Sequence, residues 1–208
     1  MKRNSRIVFL SISIPILSIL ALAIVGAAIY WLVRIYQPSK ALDDNGDFAF
    51  KVFSEKSDNT CYAVVYRELE DELIFMSVAH YFKSTPPPYY IELDGSEIKD
   101  VQIPDEKRDV AFFTVDKTGL AKGKDFGMPV FVSPVEVAAP ITIFHDELYH
   151  LPDRKIERMN EAERSVLLSG IIAQGRSGSP AFIKGTNQCL GVVSGYYEKT
   201  QQTLVLLP

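Results

Sequence analysis

Three stretches of the 208-residue chain contain side chains that could form a nucleophile, its base and the group that orients the base. Ser177 lies between two glycines in QGRSGSPAF, His80 follows the apolar run FMSVA, and Asp109 precedes the apolar run VAFFTV. A serine hydroxyl is a weak nucleophile at neutral pH, so it needs a base within hydrogen-bond distance, and that base must be oriented. Histidine is the usual base because it titrates near neutrality. Each residue taken alone fits an ordinary turn or loop better than a catalytic role.

The same three stretches resemble, in the same order, the motifs of the trypsin-like serine proteases. SVAH resembles T-A-A-H, DVAFF resembles D-I-A-L, and GRSGSP resembles G-D-S-G-G-P. The spacings, 29 residues from His80 to Asp109 and 68 from Asp109 to Ser177, resemble those of compact bacterial members. The resemblance covers residues 48–208. It implies that His80 is the general base, that Asp109 orients it, and that Ser177 attacks the peptide carbonyl.

The resemblance also implies an oxyanion hole and a substrate pocket. The backbone N–H groups of Gly175 and Ser177 would form the oxyanion hole, and Ile171, six residues before Ser177, would lie at the base of the pocket. The other expected pocket residues are Gln174, Ser194, Gly195 and Tyr196. None of these is charged, and a buried unpaired charge is costly. We therefore expect cleavage after small or medium apolar residues such as Ala, Val or Leu.

Two departures from trypsin concern activation and disulfides. Arg176 replaces the aspartate that, in trypsin, pairs with the N-terminus released by zymogen cleavage, so the resemblance implies no such activation here. Tyr81 follows His80 where trypsin has a cysteine, so the flanking disulfide is absent. The spacing of Cys61 and Cys189 does not define a pairing, and we expect two small buried residues.

The pattern of short apolar runs predicts an all-β fold. CYAVVYREL and ELIFMSVAH, joined by an acidic turn, predict a hairpin, and similar short runs follow at regular spacing. This pattern is typical of a sandwich or barrel. The resemblance implies two six-stranded antiparallel barrels, at about residues 48–122 and 123–208. Only RKIERMNEAERS, residues 154–165, has a helical pattern, and it fits a polar loop equally well.

An uncharged apolar run, residues 7–33, precedes the predicted domain. It is long enough to cross a bilayer as a helix, and longer than the roughly 7–15 apolar residues of a cleaved signal peptide, which is the alternative. Lys2, Arg3 and Arg6 place residues 1–6 in the cytoplasm. After a linker, residues 34–47, the domain would lie outside the cytoplasm, in the periplasm if the cell is a Gram-negative bacterium.

Charge and histidine spacing argue against two classes of ligand. After residue 34 the chain contains 18 of its 22 basic residues and all 26 acidic ones, a net charge of −8. Nucleic-acid binding needs a basic surface, so we expect no such partner. His80, His145 and His150 are scattered and no Cys/His cluster has ligand spacing, so we expect neither a metal nor a cofactor.

Two further functions compete with a membrane-anchored serine endopeptidase that acts on proteins or peptides through an acyl-enzyme intermediate. Because a fold does not determine activity, the domain could be a catalytically silent binding or sensing module. The second competitor is an esterase. It is disfavoured because the strand-to-helix context of the G-x-S-x-G motif is missing.

Overall fold

The computed structural model describes residues 48–93, 95–119, 128–132, 140–143, 154–172 and 174–208. All of them belong to the compact unit Ala41–Pro208. The predicted membrane span, the linker, His145 and His150 lie outside the described residues. Within the described part of the chain, no helix has the length and apolar character that crossing a bilayer requires.

The first sheet contains six antiparallel strands. They are β1 (Phe50–Ser54), β2 (Ser57–Glu68), β3 (Glu72–Val78), β4 (Tyr89–Ile91), β5 (Lys99–Gln102) and β6 (Val110–Asp116). Their order in the sheet is β4–β1–β2–β3–β6–β5. The predicted hairpin is confirmed as β2 and β3, which pair across the acidic turn. A short helix, α1 (Ala79–Ser84), begins directly after β3 and was not predicted.

The second sheet contains seven strands among the described residues. They are β7 (Val130–Phe131), β8 (Pro140–Ile143), β9 (Arg154–Asn160), β10 (Ser165–Ser169), β11 (Pro180–Ile183), β12 (Gln188–Tyr197) and β13 (Gln202–Leu206). Six of them are antiparallel in the order β11–β8–β9–β10–β13–β12, and β11 also pairs with β12, which closes a barrel. The short β7 adds to β12 in parallel. The predicted all-β fold with two six-stranded antiparallel barrels is confirmed.

Residues 154–165 form strand β9, a turn and the start of β10, so neither the helix nor the polar loop that fitted this sequence describes the segment. Arg154 and Ile156 are buried and Lys155 and Glu157 are exposed, which is the two-residue period of a strand. The period was concealed because an arginine occupies a core-facing position where an apolar residue is usual.

The two barrels share packing at their interface. The core of the first barrel is centred on Phe75 and Phe113, which stack with ring centroids 5.3 Å apart. The same cluster of buried residues includes Phe182, Val192 and Leu206 from the second sheet. The second barrel also has a core of its own, around β8, β10, β12 and β13. Because the shared cluster joins the two sheets, groups from both barrels can be held in a defined arrangement.

Both cysteines are free and buried, which confirms the expectation from the sequence. Burial raises the pKa of the Cys61 thiol and of the Cys189 thiol to about 12. Neither group is therefore a thiolate near neutral pH, the form in which cysteine acts as a nucleophile.

Candidate active site

Strand pairing brings His80 and Asp109 together at one end of the first sheet. The last residue of β3, Val78, pairs with the first residue of β6, Val110, so the residues just beyond them are neighbours. His80 Nδ1 lies 2.6 Å from Asp109 Oδ2, and the His80 backbone N–H donates to Asp109 Oδ1 at 2.6 Å. A carboxylate can only accept hydrogen bonds. His80 Nδ1 therefore carries the proton, which leaves Nε2 as the basic nitrogen.

Ser194 supplies a second hydrogen bond to the same carboxylate. Its Oγ donates to Asp109 Oδ2 at 2.6 Å. Ser194 is the extra residue of a β-bulge in β12, since Val193 pairs with Val205 and Gly195 pairs with Leu204. Bulges redirect side chains, and this one lies where the two barrels meet at the site. The sequence had indicated Ser194 only as a pocket residue, because neither the bulge nor the contact with Asp109 is visible in a linear pattern.

The Asp109 carboxylate is ionised near neutral pH. Burial by itself would raise its pKa, but hydrogen bonds from His80 and Ser194, with the charge of His80, outweigh that effect and hold the pKa below its ordinary value of 3.8. The side chain is only 27% exposed, so these hydrogen bonds are partly shielded from water. An ionised Asp109 can orient His80 and stabilise the imidazolium that forms when His80 takes a proton.

The lowered pKa of Asp109 predicts a dependence of folding stability on pH. A depressed carboxyl pKa stabilises the fold above the unfolded value, and this contribution is lost as the pH falls through the folded value. We expect the stability difference between wild type and Asp109→Asn to shrink as the pH is lowered from about 5 towards 2. Urea unfolding at several pH values measures it. Ser194→Ala should show a weaker pH dependence than wild type, and an unchanged one would contradict the assigned hydrogen bond.

Ser177 lies on a sharp turn between β10 and β11. Gly175 and Gly178 on either side of it have φ of +78° and +86°, a region that favours glycine. The Ser179 N–H donates to Arg176 O at 3.1 Å and closes the turn. The Ser177 carbonyl accepts from the Tyr62 N–H of the first barrel at 2.8 Å. The turn is therefore attached to both barrels.

Hydrogen bonds connect the Ser177 hydroxyl to the His80–Asp109 pair through Ser194. Ser177 Oγ donates to the Ser194 carbonyl at 3.2 Å, and the side chain of that same Ser194 bonds Asp109. Among the described residues, no hydrogen bond joins Ser177 Oγ to His80, whose side chain is half exposed. Catalytic hydrogen bonds are often loose without substrate, and a serine side chain rotates quickly about one bond.

Two backbone donors at the turn are available. In the part of the chain that the structure describes, neither the Gly175 N–H nor the Ser177 N–H has a hydrogen-bond partner. These are the two groups that the sequence indicated as an oxyanion hole. Donors of this kind can stabilise a negative charge that develops on a carbonyl oxygen.

Two arginines that sequence analysis had not connected with the barrel interface lie beside the site. Arg108, directly before Asp109, donates from Nη2 to the Leu207 carbonyl of the second barrel at 2.6 Å. Arg176, directly before Ser177, donates from Nη1 to the Tyr62 hydroxyl at 3.3 Å. Both contacts hold residues next to the catalytic set across the interface of the barrels.

The expected pocket residues lie on two segments of the second barrel. Ile171, 40% exposed, and Gln174, also exposed, are on the chain between β10 and the Ser177 turn. Ser194 and Gly195 are half-buried in β12, and Tyr196 packs against the second core. In the described residues, no group of three His, Cys, Asp or Glu side chains is placed to hold a metal ion.

Comparisons with known proteins agree on the fold. No protein-family model and no curated protein matches this sequence. Solved structures do match. The M. tuberculosis protease Rv3671c in its active form is 16% identical, with a TM-score of 0.58 over 80% of this chain and 78% of that chain. A serine endoprotease from Yersinia pestis is 14% identical, with a TM-score of 0.61 over 82% of this chain and 62% of that chain.

A third solved structure, Deg5, is 12% identical to this chain, with a TM-score of 0.55 over 84% of this chain and 87% of that chain. At these identities the likeness concerns the fold alone. It agrees with the two barrels. The chain therefore has the chymotrypsin fold of the trypsin-like serine proteases.

Proposed function

We propose that this chain is a serine endopeptidase that hydrolyses peptide bonds with His80, Asp109 and Ser177. The observation that carries the proposal is the bridge made by Ser194. Its hydroxyl bonds the carboxylate that orients His80, and its carbonyl accepts from the Ser177 hydroxyl. The three candidate residues, 29 and 68 positions apart in sequence, are thereby connected at one place.

The proposed reaction begins when the Ser177 hydroxyl rotates from the Ser194 carbonyl to His80 Nε2. His80 takes the proton while Ser177 Oγ bonds to the substrate carbonyl carbon. The N–H groups of Gly175 and Ser177 stabilise the oxyanion, and one such donor contributes about 3–4 kcal/mol. His80 then gives its proton to the leaving amine, which breaks the peptide bond and leaves an acyl-enzyme. Water activated by His80 releases the acid. Each step uses only groups of this chain, the substrate and water.

The main alternative is a catalytically silent binding module on the same fold. The bond from the Ser177 hydroxyl to the Ser194 carbonyl is the observation that favours it, because a serine held in that position is not activated. In the proposed enzyme, this bond must exchange readily for one to His80.

Labelling with a fluorophosphonate probe tests the proposal, because the probe reacts with activated serines. We expect the full chain to be labelled, and Ser177→Ala and His80→Ala to be unlabelled. Ser179→Ala is the matched control, since it removes a hydroxyl two residues away in the same turn. A folded wild-type protein that takes up no probe would instead support the silent module.

The proposal includes a membrane anchor at residues 7–33 and a domain outside the cytoplasm. The support is the uncharged length of this segment and the three basic residues that precede it. Protease added to intact spheroplasts should digest the domain. Without protease, the whole chain should be found in the membrane fraction. A domain protected until the spheroplasts are lysed would contradict this orientation, and a soluble form that begins near residue 29 would indicate a cleaved signal peptide.

A further inference from the structure

A buried arginine with no counter-charge among the described residues lies beside the expected substrate pocket. Arg154, the first residue of β9, is 5% exposed. The ion pairs in the described residues are His80–Asp109, Lys99–Asp116 and Lys117–Glu68, and none involves Arg154. Its Nε is also buried without a partner. A buried charge that lacks an opposite charge is costly, so the position calls for a compensating role.

Arg154 and Thr203 bind three successive backbone carbonyls. Arg154 Nη1 donates to Ser169 O at 2.8 Å, and Nη2 donates to Ile171 O at 2.7 Å. The carbonyl between them, Gly170 O, accepts from Thr203 Oγ1 at 2.8 Å. Gly170 has φ +75°, and a Cβ there would lie 2.4 Å from Arg154 Nη1. The close approach of the guanidinium therefore needs glycine at this position.

The opposite edges of the same peptide groups have N–H donors that no described residue uses. In a planar trans peptide the N–H points away from the C=O. The N–H groups of Gly170, Ile171 and Ile172 therefore point away from Arg154 and Thr203. None of the three has a hydrogen-bond partner among the described residues. Successive free N–H groups beside a residue of positive φ are suited to binding an anion.

This segment coincides with the expected base of the substrate pocket. Ile171 is the sixth residue before Ser177 and is 40% exposed, Gly170 is half-buried, and Ile172 packs in the second core. The segment therefore reaches the surface at Gly170 and Ile171. The guanidinium of Arg154 lies on the other side of the same peptide groups. Since it is buried, its field is weakly screened by water. An anion at the base of the pocket would meet free donors backed by a positive charge.

We propose that the base of this pocket binds a carboxylate and that the enzyme cleaves after acidic residues. The proposal rests on the protease function proposed above and names its substrate class. It differs from the apolar preference expected from the residues around Ser177, because the charge comes from Arg154 on β9, outside that stretch. A glutamate carboxylate would accept hydrogen bonds from these N–H groups and would be attracted by the positive charge of Arg154. A glutamine side chain has the same shape but carries no charge for Arg154 to attract.

The first test compares peptides that differ only in the residue before the cleaved bond. We expect the full chain to have a kcat/KM for Glu at least about tenfold above that for Gln, with Leu and Lys lower still. Arg154→Met should lower the Glu-to-Gln ratio by about tenfold, and the ratio is compared within each variant because the loss of two hydrogen bonds to the pocket segment lowers both rates. Arg158→Met, which changes an exposed arginine on the same strand, should leave the ratio unchanged.

Two results would overturn the proposal. One is a wild-type enzyme that cleaves after Gln or Leu as readily as after Glu. The other is a folded Arg154→Met variant with the wild-type ratio. Arg154→Lys keeps the positive charge, so its Glu-to-Gln ratio of kcat/KM should fall less than that of Arg154→Met. If Arg154→Met does not fold, the wild-type rates for Glu and Gln peptides still decide whether the pocket prefers an acidic side chain.

A binding measurement separates this proposal from the protease function. Fluorophosphonate labelling of Ser177 with no preference for Glu would overturn only the acidic specificity. If the wild-type chain is not labelled, fluorescence anisotropy of dye-labelled peptides ending in Glu or Gln, added to the Ser177→Ala chain, tests the pocket without catalysis. We expect the Glu peptide to bind about tenfold more tightly, and equal binding would overturn the proposal.

Discussion

Replacing Ser177 or His80 with alanine should lower peptide hydrolysis by about 10⁶-fold, because the members of a catalytic triad act as a unit. Without Ser177 no acyl-enzyme forms. Without His80 the serine keeps its proton, because the Ser194 carbonyl that accepts its hydrogen bond is too weak a base to remove it. The double variant should be no slower than either single variant. The measurement is kcat on one peptide substrate with purified full-length protein.

Two other histidines provide the matched controls. His145→Ala and His150→Ala should each keep a rate near that of the wild type, since neither belongs to the proposed set. Circular dichroism of every variant separates loss of chemistry from loss of fold. An essential His145 or His150, with a dispensable His80, would show that the assignment of the base is wrong.

Gly178→Ala should destabilise the domain by more than about 3 kcal/mol and abolish labelling of Ser177. An alanine Cβ would lie 1.8 Å from the Tyr62 carbonyl oxygen, and φ there is +86°. The turn cannot move aside freely, because the Gly178 N–H donates to Val193 O at 2.7 Å and the Ser177 carbonyl accepts from Tyr62. Relief of the clash would therefore displace the nucleophile. Urea unfolding and probe labelling measure the two effects.

Gly185→Ala separates backbone strain from the steric clash. Gly185 has φ +73°, close to that of Gly178, but an added Cβ there meets no atom within 4 Å. We expect a cost of about 1–2 kcal/mol and normal labelling. If Gly178→Ala proved no more costly than Gly185→Ala, the close contact with Tyr62 would not be the reason for the glycine.

Residue types and local periodicity were sufficient to predict the all-β fold, and the candidate set followed from three short motifs that resemble those of a known family. His80, Asp109 and Ser177 stand beside apolar runs that form strands because they alternate or are rich in β-branched residues. The hairpin of β2 and β3 followed from two such runs and a short acidic turn. These features are encoded within a few residues of one another, so a linear pattern contains them.

The sequence alone also determined which chemistry was available: a serine between glycines, a histidine, and an aspartate in a recognisable order. Only the tertiary structure showed that Ser194 joins them, through a bulge in β12 and a hydrogen bond to Asp109, 85 residues away. It also revealed Arg154, whose charge had concealed a strand and which binds carbonyls beside the expected pocket from 15 and 17 residues away. Both contacts depend on strand register and on the packing of the barrels. A buried polar side chain is placed by the partners that satisfy it, and those partners are far away in sequence.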